Sequence, residues 1–219
     1  MSSDRVVRIK MCGMFRAEDI KAVNDVRPDY CGFVVDFPKS HRSVDRDMLK
    51  KFRALLSDDI KAVGVFVDEE TDDIISLLDD GTIDIAQLHG NESDETIMRI
   101  KERTGKSVIR AYRMRAADNA VKDPYEELLK SAQISPADLV LLDTGQGGGV
   151  AMNFEALRAA AQKTGFSRPY FLAGGITSAN IREAIRILHP FAIDLSGGLE
   201  TKRIKDPAKM REIMELVKK

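Results

Sequence analysis

The sequence contains no tryptophan and only two cysteines, and it has neither an excess of one charge nor a long apolar run. Its 219 residues include 34 basic and 35 acidic side chains, which gives a formal net charge of −1. Balanced charge and 6% aromatic residues do not favour a nucleic-acid surface, which requires a basic patch or stacking aromatics. Because no apolar run approaches the ~20 residues of a membrane helix, we expect neither nucleic acid nor a membrane as a partner.

The two cysteines, Cys12 and Cys31, are too few for a disulfide framework or a cysteine-based zinc site. The opening stretch, MSSDRVVRIK, lacks the apolar core of a secretory signal. We therefore expect a reduced, cytoplasmic protein. A homo-oligomer is compatible with these numbers.

A repeating pattern runs along the chain. Short apolar runs rich in β-branched residues end in glycine or a polar residue, and an amphipathic stretch follows each run. The runs cover residues 6–12, 30–35, 61–67, 83–89, 107–113, 138–144, 170–175 and 191–197. Their starts lie about 20 to 30 residues apart, which suits one strand, one helix and two loops.

The clearest of the predicted helices is the last one. Asp206 is a suitable N-cap, and Pro207 fits the first helical turn. One apolar stripe follows, formed by Met210, Ile213, Met214 and Val217. This spacing predicts a helix with one face packed on a core.

Eight strands alternating with eight helices fit either an open doubly wound sheet or a closed (β/α)8 barrel. Eight units in 219 residues are close to the smallest size of such a barrel. A dinucleotide-binding sheet should carry G-x-G-x-x-G after its first strand, where this chain reads CGMF (12–15). No proline-rich or low-complexity linker interrupts the pattern. We predict an α/β protein in which residues 1–219 form a single-domain (β/α)8 barrel with a parallel eight-stranded sheet.

The carboxyl ends of barrel strands are where catalytic residues lie. Polar side chains near these ends in the sequence are Lys10, Cys12, Asp36, Asp68, Gln87, His89, Arg110, Asp143, Asp194 and Ser196. Because strand side chains alternate, Lys10 shares a face with Cys12, and Asp194 shares one with Ser196. If these faces point inward, a thiol and carboxylates converge over the barrel mouth.

The loops after the last two strands, AGGITSAN (173–180) and LSGGLE (195–200), are rich in glycine. Their backbone N–H groups and the following helix starts suit an anion, and barrel enzymes often bind phosphate there. The predicted phosphate contacts are Gly174, Gly175, Ser196, Gly197 and Gly198. We interpret the loop after strand six, TGQGGGV (144–150), as a cover over the mouth.

Several segments, taken in order, resemble one known family. They are IKMCG (9–13), DFPKSHRSV (36–44), AQLHGNE (86–92), LLDT (141–144) followed by glycines, LAGGITSANI (172–181), and IDLSGGLE (193–200) with IKD (204–206). The ordered set resembles the phosphoribosylanthranilate isomerases, which are (β/α)8 enzymes of tryptophan biosynthesis. The resemblance implies an Amadori rearrangement of N-(5-phosphoribosyl)anthranilate to 1-(2-carboxyphenylamino)-1-deoxyribulose 5-phosphate, with no metal or organic cofactor.

The resemblance also implies roles for individual residues. Cys12 matches the general base that takes the C2′ proton, and Asp143 matches the general acid at the furanose ring oxygen. Arg42 matches the residue that contacts the anthranilate carboxylate. The further substrate-binding candidates are Lys10, Gln87, His89 and Asp194. A thiol is a poor base at neutral pH unless a cation stabilises its thiolate, and Lys10 is the candidate for that cation.

Other interpretations remain open for three of these residues. His89 is equally compatible with a hydrogen-bonded core histidine, Asp194 could orient Lys10 or Cys12 instead of the substrate, and Lys10 could be wholly structural.

The sequence departs from the family pattern at three places. His41 stands where proline is usual, Gly197 replaces a second serine, and GGGV (147–150) lacks a threonine and a basic residue. A catalytically silent or substrate-shifted phosphosugar-binding barrel is therefore the alternative. Cys12 argues against an isomerase with paired aspartates in strands one and six. The absence of lysine from strand six argues against a Schiff-base aldolase.

Overall fold

The computed structural model describes residues 7–114, 123–143 and 153–217. Its main sheet contains eight parallel barrel strands: β1 (Arg8–Cys12), β2 (Tyr30–Val35), β3 (Lys61–Phe66), β4 (Ile85–Leu88), β5 (Val108–Arg113), β6 (Leu139–Asp143), β7 (Tyr170–Ala173) and β8 (Ala192–Leu195). The sheet is closed because β1 pairs with β2 on one side and with β8 on the other. The predicted (β/α)8 barrel is confirmed.

Helices alternate with the strands along the chain. They are α1 (Ala17–Val26), α2 (Arg46–Leu55), α3 (Thr71–Asp79), α4 (Asp94–Thr104), α5 (Pro124–Gln133), α6 (Phe154–Thr164), α7 (Ile181–Leu188) and α8 (Pro207–Val217). The Asp206 carboxylate accepts a hydrogen bond from the Ala208 N–H at 2.9 Å, as predicted for the N-cap of α8. None of the helices in these described ranges has the length and apolar character that crossing a membrane requires.

Side chains of the barrel strands divide into two layers. Those that point outward pack against the helices and form the larger core. Those that point inward fill the barrel with Tyr30, Val63, Ile85, Ile109, Ala111, Leu141, Phe171, Ala173 and Ala192. The apolar filling closes the inside of the barrel, and polar residues follow it at the carboxyl ends of the strands.

Three short elements at the carboxyl ends of the strands were not predicted. Ser43–Val44 adds a two-residue strand beside β2, and Gly197–Leu199 forms one turn of 3₁₀ helix after β8. Glu200–Thr201 and Ile204–Lys205 form an antiparallel hairpin before α8. Two-residue strands are too short to show a period, so the sequence pattern does not indicate them.

Candidate active site

A cavity of about 480 Å³ opens at the carboxyl ends of the barrel strands. Every residue predicted to be catalytic, substrate-binding or phosphate-binding lines it, except Lys10. These residues are Cys12, Arg42, Gln87, His89, Asp143, Gly174, Gly175, Asp194, Ser196, Gly197 and Gly198. A neighbouring cavity of about 550 Å³ shares His89 but has neither the thiol nor the glycine loops. The predicted cover, 144–150, lies outside the described residues.

Cys12 lies at the end of β1, above the buried Lys10. The Lys10 side chain has no solvent exposure, and its Nζ donates a hydrogen bond to Asp194 Oδ1 at 2.9 Å. On the adjacent strand β2, Gly32 makes room for both groups: a Cβ there would lie 2.8 Å from Cys12 Sγ and 3.1 Å from Lys10 Nζ. The thiol and the ammonium are therefore neighbours, with Cys12 lining the cavity and Lys10 buried behind it.

The protonation of these groups follows from burial and pairing. Burial disfavours the charge of Lys10, but the Asp194 carboxylate outweighs it, so the pKa of Lys10 lies above its ordinary value. Burial raises the pKa of the Cys12 thiol, and Lys10 opposes this only in part. The Asp194 carboxylate pairs with the Lys10 ammonium group, and its own negative charge disfavours a thiolate at Cys12. Without substrate, Cys12 therefore holds its proton at neutral pH.

Alkylation of Cys12 by iodoacetamide should be slow at pH 7 and should rise about tenfold per pH unit into the alkaline range, because only the thiolate reacts. Mass spectrometry after timed quenching locates and counts the modification. Cys31 is the internal control, since it is fully buried in β2 and burial also raises its pKa. An alkylation rate at Cys12 that is already constant from pH 6 upward would show that Lys10 holds a thiolate in the free protein.

Gln87, His89 and Asp143 form a chain of polar side chains along the opposite wall of the cavity. Gln87 Nε2 lies 2.9 Å from His89 Nδ1, and His89 Nε2 lies 3.5 Å from Asp143 Oδ2. With the amide nitrogen as donor, His89 carries its proton on Nε2, towards Asp143. Gln87 is almost completely buried, whereas about a quarter of the Asp143 side chain is exposed. Asp143 is thus the member of the chain most open to the cavity.

Arg42 enters the cavity from the loop after β2 and binds a carboxylate of this same chain. Its Nε and Nη2 donate to the two oxygens of Glu200 at 2.5 and 2.8 Å. Burial alone raises the pKa of Glu200, but hydrogen bonds from Arg42 and Lys205 outweigh it and lower the pKa to about 2. Glu200 is therefore ionised at neutral pH, and Arg42 is held in a bidentate ion pair.

Gly13 provides the space through which Arg42 reaches the cavity. It has a φ of +75°, and a Cβ there would lie only 2.4 Å from Arg42 Cδ. We expect Gly13→Ala to lower the free energy of unfolding by about 1–2 kcal/mol through backbone strain and about 1–3 kcal/mol more through overpacking. Urea unfolding measures the loss.

Gly105→Ala is the matched control for this variant. Gly105 has a φ of +64° at the end of α4, and a Cβ there would meet nothing within 4 Å. It should show only the strain component of about 1–2 kcal/mol. Equal losses in the two variants would contradict the close packing of Arg42 on Gly13.

The two glycine-rich loops meet beside Ser196. Gly174 and Gly175 have φ values of +92° and +68°, a conformation that glycine adopts without strain. A Cβ at Gly198 would lie 2.2 Å from the Ile176 carbonyl oxygen, so the loop after β8 packs directly on the loop after β7. This packing places the backbone of both loops in the same wall of the cavity.

Sequence reasoning missed three residues at this end of the barrel. Arg113 lines the cavity and donates to the His89 carbonyl oxygen at 2.9 Å. It lies two residues after Ala111, which points into the barrel, and this alternation was the signal available in the sequence. Glu200 and Lys205 form an ion pair at 2.9 Å beneath Arg42. Both lie in segments that resemble the family, 193–200 and 204–206, but nothing local in the sequence pairs them.

Metal binding finds no support in the described ranges, where no three His, Cys, Asp or Glu side chains cluster suitably for an ion. The cavity itself presents several groups suited to acid–base chemistry. It combines a thiol, a carboxyl group next to a histidine, a carboxylate-binding arginine and two loops rich in backbone N–H groups. Such a set suits proton transfer on an anionic ligand.

Comparison with known proteins shows similarity over nearly the whole chain. The family model for N-(5'phosphoribosyl)anthranilate (PRA) isomerase matches residues 9–216. The N-(5'-phosphoribosyl)anthranilate isomerase of Endomicrobium trichonymphae is 39% identical over 216 residues, which cover 96% of this chain and 98% of the relative.

Solved structures show the same similarity. The phosphoribosyl anthranilate isomerase of Thermotoga maritima has a TM-score of 0.79 and 29% identity, covering 97% of this chain and 98% of the other. A second structure of this kind, in complex with reduced 1-(o-carboxyphenylamino)-1-deoxyribulose 5-phosphate, has a TM-score of 0.77 and 28% identity, with coverage of 97% and 98%.

Proposed function

The chain belongs to the N-(5'-phosphoribosyl)anthranilate isomerase family, and we propose that its cavity performs the Amadori rearrangement with Cys12 as general base and Asp143 as general acid. The family interconverts an aldose and a ketose in tryptophan biosynthesis. The observation that carries the assignment of roles is that β1 and β6 bring this thiol and this carboxyl group into one cavity with both glycine loops.

The substrate would bind through its two anionic ends. Its phosphate fits the wall formed by the loops after β7 and β8, where backbone N–H groups of glycines and the short helix after Ser196 can donate hydrogen bonds. Its anthranilate carboxylate fits Arg42, which reaches the same cavity from the loop after β2. The ribose then lies between these anchors, and a cavity of about 480 Å³ is within the usual range for a small ligand.

The first step is opening of the furanose ring. Asp143 donates a proton to the ring oxygen, the C1′–O bond breaks, and the nitrogen lone pair forms an iminium cation at C1′. His89, held by Gln87, lies next to Asp143 and fixes the orientation of its carboxyl group. Such a proton transfer contributes about 10²–10⁴-fold to the rate.

The second step uses the charge that the first has created. The iminium cation acidifies the C2′ proton and favours the thiolate of Cys12, whose pKa burial raises in the free protein. Cys12 first releases its thiol proton to solvent, and the resulting thiolate then takes the C2′ proton, which leaves an enolamine. Return of a proton to C1′ and loss of the C2′ hydroxyl proton give the aminoketose. The thiolate is thus formed with substrate bound rather than stored beforehand by Lys10.

Lys10 and Asp194 have different roles, because Lys10 lies behind the cavity whereas Asp194 lines it. Lys10 is buried behind Cys12 and remains charged through Asp194, so it orients the thiol and stabilises negative charge on it. Asp194 also lines the cavity, where its carboxylate can accept a hydrogen bond from a ribose hydroxyl. Removal of either partner would leave the other charge buried and unpaired.

The experiment that tests this function is direct conversion of N-(5'-phosphoribosyl)anthranilate by the purified protein, followed as loss of substrate fluorescence. We expect turnover without added metal or organic cofactor. The alternative, a silent or substrate-shifted phosphosugar-binding barrel, is suggested by the departures at 147–150, which lie outside the described residues. Binding of a phosphorylated analogue without turnover would support that alternative and overturn the enzyme assignment.

A further inference from the structure

The hairpin before α8 places a buried ion pair beneath the site. Glu200 and Lys205 are cross-strand partners in its two short strands. Only 7% of the Glu200 side chain and 1% of the Lys205 side chain are exposed. Burying two charges is costly unless each is fully hydrogen-bonded, so this pair must be held by strong contacts.

Lys205 connects the pair to the ends of two barrel strands. Its Nζ donates to the Cys12 carbonyl oxygen at 2.7 Å and to the Ser196 carbonyl oxygen at 3.0 Å. It also lies 2.9 Å from Glu200 Oε1. One ammonium group therefore ties Glu200 to the backbone of the proposed base and to the start of a phosphate loop.

Glu200 in turn fixes one edge of the Arg42 guanidinium group. Nε and Nη2 bind the carboxylate, while Nη1 makes no hydrogen bond to any residue in the described ranges. A guanidinium group can bind carboxylates on two edges, and the second edge combines Nη1 with the remaining proton of Nη2. Arg42 lines the cavity, so this second edge is the one left for a ligand.

We propose that Glu200 is a positioning residue for carboxylate recognition. Its carboxylate, itself held by Lys205, binds the Nε edge of Arg42 and thereby directs the other edge of the guanidinium group to the substrate's anthranilate carboxylate. This inference rests on the proposed function and deepens it. Preorganisation of this kind lowers the entropy cost of binding, because the long arginine side chain is fixed before the substrate arrives. The opposite role is competition, in which Glu200 occupies Arg42 and must be displaced.

The two roles predict opposite effects of Glu200→Gln, which removes the negative charge with little change of shape. Positioning predicts a KM for N-(5'-phosphoribosyl)anthranilate about tenfold higher, with kcat changed less than about threefold. Calorimetry should show about tenfold weaker binding of reduced 1-(o-carboxyphenylamino)-1-deoxyribulose 5-phosphate. An analogue with a phenyl ring in place of the carboxyphenyl ring should bind wild type and variant equally. Competition predicts a lower KM and tighter binding of the carboxylated analogue, and this result would overturn the proposal.

A double-mutant cycle with Arg42→Met separates positioning from a general structural role. If Glu200 acts through Arg42, Glu200→Gln adds no further loss of affinity once Arg42→Met is present. Additive losses would overturn the proposal. Asp73→Asn is the matched control, because it removes one carboxylate from the Arg46 ion pair outside the cavity and should leave KM unchanged. If Glu200→Gln does not fold, Glu200→Asp, which retains the charge but draws the carboxylate back from Arg42, carries the same test.

Failure of the proposed function gives a different result. A wild-type protein without turnover contradicts the isomerase assignment. If the wild type converts the substrate and the Glu200→Gln variant keeps the same preference for the carboxylated analogue, only the role of Glu200 is contradicted.

Discussion

We expect the Cys12→Ser variant to convert N-(5'-phosphoribosyl)anthranilate about 10²–10⁴-fold more slowly than the wild type while the barrel stays folded. The serine hydroxyl is nearly the same size as the thiol and can still bond to Lys10, so the packing against Gly32 is preserved. It is far less acidic than a thiol, however, and an iminium cation in the substrate would not suffice to ionise it. The loss should therefore fall on kcat, since the phosphate and carboxylate contacts remain.

Single-turnover fluorescence decay measures this effect, and calorimetry with the reduced product analogue measures affinity separately. The control is Cys31→Ala, which removes the other thiol. Cys31 is fully buried in the outer core, away from the cavity, so this variant should lose some stability but keep its turnover. Full activity of Cys12→Ser would exclude Cys12 as the base and would leave the strand-one thiol as a packing residue.

Most of the fold could be predicted from the sequence because the barrel is built from repeated local patterns. Each strand appears as an apolar run, and the strand ends collect the polar residues of the mouth. Parity within a strand put Cys12 with Lys10, and Asp194 with Ser196, on shared faces, and the structure shows that Cys12, Asp194 and Ser196 line the cavity. Arg113 obeys the same parity but lies in none of the segments that resemble the family.

The parts that could not be predicted depend on contacts between distant segments. Glu200 meets Arg42 across 158 positions of sequence, and Lys205 reaches the Cys12 carbonyl oxygen across 193. Neither contact leaves a periodic signal in the chain. The protonation of Cys12 was also out of reach, since its pKa depends on burial of the thiol and on the opposing charges of Lys10 and Asp194 beside it. The sequence left open whether Lys10 stores a thiolate on Cys12 before substrate binds, and burial favours the thiol.

Asp143→Asn should reduce kcat by about 10²–10⁴-fold, because an amide keeps the shape of the carboxyl group but has no acidic proton to give to the ring oxygen. His89 Nε2 lies 3.5 Å from Asp143 Oδ2 and can still contact the amide oxygen of the variant. Ring opening would then require a proton from water, which is a much weaker acid than a carboxyl group. Pre-steady-state fluorescence should show normal substrate binding followed by slow decay.

Asp138→Asn is the control from the other end of the same strand. Asp138 precedes β6, accepts a hydrogen bond from the Val108 N–H at 2.9 Å and pairs with Lys101 at 3.0 Å. Because this end of a barrel serves stability rather than chemistry, the variant should lose about 0.5–1.5 kcal/mol of unfolding free energy and none of its kcat. If Asp143→Asn instead retained its kcat and only bound the substrate less tightly, Asp143 would be a ligand contact, and the acid would have to be sought elsewhere along the cavity wall.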